Sequence, residues 1–104
     1  MLNKKTESKD LEALFKVISG LKSKDEVKQF LTDLCTPAEL SAMADRWKAA
    51  RLLTAGMSYR EIYEKSGVST ATVTRVARCL TLGAGGYRLV LNRLSGRSSA
   101  GLDA

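Results

Sequence analysis

The sequence contains no histidine, a single proline, two cysteines and no long apolar run. Each shortage excludes something. Without histidine, a nucleophilic enzyme would lack its usual general base, so catalysis is not expected. Cys35 and Cys79 form no C-x-x-C pair, so zinc-site spacing is absent and no metal or cofactor is expected. Both read as free thiols packed on helices. The first seven residues, Met1 to Glu7, lack the apolar run of a signal peptide. No stretch approaches the roughly 20 apolar residues of a membrane span. A cytoplasmic protein is the expectation. Strand-like alternation and internal repeats are also lacking, which leaves helices as the only regular element to look for.

Acidic residues are scarce in one place. Residues 69–104 hold five arginines against one acid, net +4, whereas residues 1–33 and 34–68 are each net +1. Most of the excess of a chain that is +6 overall therefore lies in its last third, where every basic residue is an arginine. Clustered arginine suits phosphate and guanine contacts. A solvated basic face without a partner has the same composition.

What the sequence does have is helix punctuation. Leu11, Leu14, Phe15 and Ile18 form one stripe at i, i+3, i+4 and i+7, ended by Gly20. Ser23 with Glu26 is a capping box, and Val27, Phe30, Leu31 and Leu34 repeat the stripe. Thr36-Pro37-Ala38-Glu39 is the strongest helix start: threonine cap, proline at the first position, glutamate at the third. That helix should run to about Ala55 and stop at Gly56. Leu40, Met43, Trp47 and Ala50, widened by Ala42, Ala44, Ala49, Leu52 and Leu53, make it apolar around most of its circumference. Such a helix needs cover on several sides, and so short a chain implies that a second copy supplies part of it.

Residues 58–79 read as two short helices across a tight turn. Ser58 and Glu61 form a further capping box, Gly67 accepts the left-handed backbone that ends a helix, and Ser69 caps the second helix. Ile62, Val73 and Val76 supply one inward residue per turn, as a helix-turn-helix requires. The helices are expected over 58–66 and 69–80. The second presents Thr70, Ala71, Thr72 and Thr74 near its start, with Arg75 and Arg78 behind. Small hydroxyl and methyl side chains let a helix lie deep in the major groove. An ordinary helical hairpin has the same outline. Gly83 to Gly86 lacks P-loop spacing and reads as a loop or a loose helix start before a last helix over Tyr87–Leu94. Residues 1–7 are expected to be flexible, residues 8–94 to form one domain, and residues 95–104 to be a disordered tail.

The order of parts resembles the bacterial Trp repressor family. The residues that carry this are Thr36-Pro37-x-Glu39, Ala42, Arg46, Gly56, Met57-Ser58-x-Arg60-Glu61, Ser66-Gly67 and Ala71-Thr72-Val73-Thr74-Arg75. Asp33-Leu34-Cys35-Thr36 and the run Ser69 to Leu80 are similar to its YerC/YecD branch. The resemblance implies an all-α fold of six helices and an intertwined homodimer. It implies a transcription regulator, a repressor, that binds double-stranded DNA at a two-fold symmetric operator. Arg60 matches a guanine-reaching arginine, with Glu64 at i+4 as its alternative partner. Thr70, Ala71 and Thr72 match the base-facing helix start, and Thr74 matches a phosphate contact. Ser58, Ser69, Arg75 and Arg78 complete the expected DNA-binding set. Arg46, Arg75 and Thr36 match the residues that hold the family's amino-acid ligand. The glycine and serine of that pocket are replaced here by Val76 and Cys79. The expectation is therefore independence from tryptophan, with a small anionic effector as the candidate ligand. Arg46 and Arg75 could equally pair with acids or with DNA phosphate. A protein-interaction module that docks through the same helix pair is the competing function.

Overall fold

In a computed structural model the backbone is described over residues 4–97 and the side chains over residues 8–96. Six helices and no strand make up the described residues: α1 (Lys4–Ser19), α2 (Lys24–Leu34), α3 (Pro37–Thr54), α4 (Tyr59–Ser66), α5 (Thr70–Leu82) and α6 (Gly86–Arg97). No described helix is long and apolar enough to cross a membrane. The chain divides into two compact units, Met1–Leu40 and Ser41–Ala104.

In the first unit the expected caps are made. The Glu26 N–H donates to Ser23 Oγ at 3.1 Å, and the Lys22 N–H donates to Glu26 Oε1 at 3.0 Å. At the start of α3, the Glu39 N–H donates to Thr36 Oγ1 at 3.1 Å and the Thr36 N–H donates to Glu39 Oε1 at 2.8 Å. The backbone N–H of Thr36 and then its side chain hold the Glu39 carboxyl below the usual glutamate range. No described residue of this unit is buried. The α1 stripe is instead open, with Leu11 and Phe15 each more than half exposed. Helix α1 begins at Lys4, within the stretch 1–7 expected to be flexible. Residues 4–7 are Lys, Lys, Thr and Glu; Lys and Glu are good helix formers, and no glycine or proline breaks the run.

The second unit has a small dry core. Ala49 and Ala50 of α3, Ile62 of α4, Val68 of the turn, and Val73 and Val76 of α5 are buried together. Leu91 of α6 is buried as well. The two alanines let other backbones come close, and the branched side chains fill the space. Full burial of each valine or isoleucine stabilises by about 1.5–3 kcal/mol. Trp47, Leu52, Leu53, Met57, Leu80 and Tyr87 pack half-buried around this centre. The broad apolar girth expected of α3 is covered only in part: Met43 is 40% exposed, and Ala42 and Ala44 are exposed.

Helix α5 runs two residues beyond the expected end at Leu80, and Gly83 stops it. A Cβ at Gly83 would collide with the Cys79 carbonyl oxygen, so the chain can turn there only without a side chain. The Arg88 Nε–H then donates to the Leu80 carbonyl at 2.9 Å, closing an orphan acceptor at the α5 end. A cation at that end also suits the helix dipole. Helix α6 spans Gly86–Arg97 rather than 87–94. The expected tail therefore begins inside a helix at residues 95–97, and residues 98–104 lie outside the described residues, as do 1–3.

Candidate nucleic-acid interface

Helices α4 and α5 form a helix-turn-helix pair, and local chemistry sets their geometry. Ser58 Oγ accepts from the Glu61 N–H at 3.1 Å while Glu61 Oε1 accepts from the Ser58 N–H at 3.1 Å. This reciprocal pair holds the Glu61 carboxyl below its usual range, chiefly through the Ser58 backbone and then the Ser58 side chain. Gly67 ends α4 at φ 77°, ψ 0°, and its N–H donates to the Tyr63 carbonyl at 2.9 Å. Ser66 reinforces the corner: its hydroxyl donates to the Ile62 carbonyl and accepts from the Val68 N–H. Ile62, Val68, Val73 and Val76 pack across the turn and hold the two helices in register.

The expected DNA-binding residues then divide by what their polar atoms are doing. Thr70, Ala71, Thr74, Arg75 and Arg78 are exposed along α5. Ser69 caps α5 by accepting from the Thr72 N–H at 3.2 Å, and its hydroxyl donates to Thr72 Oγ1 at 3.0 Å. Ser58 is likewise engaged as a cap. Thr72 is half-buried, so of the three small residues at the helix start only Thr70 and Ala71 stand fully outward. The Thr74 hydroxyl donates to the Thr70 carbonyl at 2.8 Å. A phosphate contact from Thr74 as donor requires release of that bond.

Arg60 lies at the second position of α4 with its side chain 88% exposed. Its Nε–H donates to Glu64 Oε1 at 2.9 Å, the i+4 pair that the spacing allows. The pair uses one edge of the guanidinium. The two terminal nitrogens remain outward, the arrangement that a bidentate contact to guanine needs.

The expected ligand residues are only partly brought together. Arg75 and Cys79 line a cavity of about 490 Å³, walled by Trp47 of α3, by Tyr87 and Val90 of α6 and by the 83–86 loop. Val76 does not line it; the side chain is fully buried in the core beside Val73. Thr36 serves as the α3 cap, and half-buried Arg46 is not among the lining residues. Trp47 and Tyr87 were missed as pocket residues. Their only signal was position, one next to Arg46 and the other directly after the glycine run. No cluster of metal-ligating side chains occurs among the described residues.

Residues 9–95 match the model of the Trp repressor protein family. The chain belongs to the Trp repressor family. It is 41% identical over 90 residues to the uncharacterized protein YerC of Bacillus subtilis (strain 168), covering 86% of each chain. Among solved structures it is similar to a Trp repressor candidate from Staphylococcus aureus, with TM-score 0.81 and 36% identity. That match covers 91% of this chain and 95% of the other. A TrpR-like protein from Eubacterium eligens ATCC 27750 matches with TM-score 0.82 and 40% identity, over 89% and 96% of the two chains. The six-helix TrpR-like fold expected from the sequence is the one observed. Membership suggests a DNA-binding helix-turn-helix regulator.

Proposed function

We propose that this protein is a sequence-specific transcription regulator, a repressor, that binds a two-fold symmetric DNA operator as a homodimer and needs no tryptophan to do so. The observation that carries the reading is the outer face of α4 and α5. Arg60 stands exposed in the first turn of α4, and Thr70, Ala71, Arg75 and Arg78 stand exposed along α5, whose N-cap is made by Ser69. Small residues at the tip allow close approach to base edges, and arginines around them supply phosphate contacts.

Dimerisation is supported by apolar surface left open on a single chain. Leu11, Phe15 and Ile18 fall at i, i+4 and i+7 on α1 and are each at least 40% exposed, so one helix carries an open apolar stripe. A contiguous apolar patch of this kind marks an interface. Tryptophan independence is supported by Val76, which occupies core volume where the resembling pocket has glycine. Any effector would instead occupy the cavity beside Arg75. That volume is in the range of small-molecule sites, its walls are largely apolar, and its cation suits an anionic group.

The competing reading, docking on another protein, predicts weak salt dependence. DNA binding predicts a steep loss of affinity with salt, because each neutralised phosphate releases counterions. Titrating labelled duplex DNA with the protein at several salt concentrations separates the two.

A further inference from the structure

Beside the reading tip lies a second groove, of about 470 Å³, lined by Tyr59 of α4 and by Thr74, Ala77, Arg78 and Thr81 of α5. Its floor is made of small residues. Its hydroxyls are not equivalent. Thr74 gives its proton to the Thr70 carbonyl, and Thr81 lies within 3.3 Å of the Ala77 carbonyl and 3.2 Å of the Arg78 carbonyl. Both threonines therefore spend their donors on their own helix. Tyr59 and Arg78 do not. Tyr59 is 42% exposed, Arg78 is exposed, and neither meets a hydrogen-bond or ion-pair partner among the described residues. No carboxylate lines the groove. The site thus offers a guanidinium and a phenolic O–H, two donors and no competing anion, over a floor that admits a tetrahedral group.

We infer that Tyr59 and Arg78 together grip one backbone phosphodiester of the bound duplex, with Tyr59 as a positioning contact outside the base-reading set. The inference rests on the DNA-binding reading above. Arg78 supplies the charge, and the Tyr59 hydroxyl supplies direction. The phenol is carried by the first turn of α4, next to Arg60. A phosphate held there fixes the angle at which Arg60 and the α5 tip enter the groove, because phosphate contacts set register while base contacts set sequence.

The test uses the whole protein with a duplex carrying its selected site and with an unrelated duplex. Tyr59→Phe deletes the hydroxyl and keeps the ring at an exposed position. It is expected to weaken both duplexes about 5- to 10-fold. The slope of log affinity against log salt should not change, since no charge is lost. Arg78→Gln is expected to weaken both and to reduce that slope by about one. A scan with one methylphosphonate linkage at a time then locates the phosphate. One linkage per half-site should cost the wild-type protein affinity, and at that linkage neither variant should lose anything further. The grip is overturned if Tyr59→Phe binds like wild type, or if its loss persists undiminished at every substituted linkage. Titration with inorganic phosphate at constant ionic strength separates the other source of this chemistry. Tight binding of the free anion overturns assignment of the groove to the DNA backbone. Wild-type protein that binds no duplex at any salt concentration overturns the DNA-binding reading itself.

Discussion

Replacing Arg60 with alanine removes two interactions of different size, and the difference makes the variant informative. The first is the ion pair with Glu64. Its side chains are 88% and 61% exposed, so water screens it heavily. An exposed i,i+4 pair contributes about 0.3–0.5 kcal/mol. In a domain of this length that corresponds to a melting shift of roughly 1–4 °C. The second is the proposed bidentate contact to guanine, worth about 1–3 kcal/mol of discrimination. That is about 5- to 150-fold in affinity. Arg60→Ala should therefore melt almost like wild type yet lose specific binding heavily. Glu64→Gln breaks the same pair and keeps the guanidinium. It should show the same small melting shift and change affinity for all sequences alike. Thermal melting with fluorescence anisotropy on the selected site, and on the site with each guanine replaced in turn, measures both quantities. Loss of preference should be confined to one base pair per half-site. Equal loss on selected and unrelated duplexes would refute the base-reading role of Arg60.

Light scattering should give twice the 11.3 kDa chain mass at micromolar concentration; a monomer mass would refute the dimer. Calorimetry with millimolar L-tryptophan should show no micromolar site. Overpacking against Val76 costs roughly 1–3 kcal/mol and the serine hydroxyl absent at Cys79 about 1 kcal/mol, together on the order of 10- to 1,000-fold. Tryptophan-dependent DNA binding would refute this, with the ring entering either the slot that Val76 fills or the cavity beside Arg75 that Val76 does not line. Gly67→Ala should destabilise by about 1–2 kcal/mol in chemical denaturation, because φ of 77° is left-handed and a Cβ is strained there whatever the space. Acid should loosen α4. The Glu61 carboxyl is depressed in the folded chain, so its contribution is fully present above the usual glutamate pKa and fades as pH falls through the lowered value. Hydrogen exchange of the α4 amides should rise over that interval in wild type and much less in Glu61→Gln.

The fold was legible where the controlling signals were local. Ser23, Thr36, Ser58 and Ser69 sit at helix starts with their partners three residues on, and each makes the bond its spacing allows. Gly67 was readable for the same reason: one residue decides the corner. Helix ends without such a signal were read less well. Nothing in residues 4–7 breaks a helix, so α1 extends outward, and Gly96 is carried inside α6 although glycine weakens a helix interior. The candidate site shows the same divide. The outward placement of Thr70, Ala71 and Arg78 follows from helix periodicity, whereas Arg60 was picked out by the family resemblance. The cavity joins Trp47 to Tyr87, 40 positions apart in sequence, and no spacing rule links residues on α3 and α6. The engaged state of Thr74 was also hidden, since its hydroxyl can turn to a carbonyl one turn back or to a ligand.

Selection of bound sequences from a pool of random duplex DNA tests the central claim most directly. A sequence-reading dimer predicts enrichment of a two-fold symmetric site with a guanine in each half, its half-sites about one helical turn apart. That spacing is the one expected for helix-turn-helix dimers, the Trp repressor among them. Recovery of no consensus from a pool that the protein nevertheless retains, or of a site without two-fold symmetry, would contradict it.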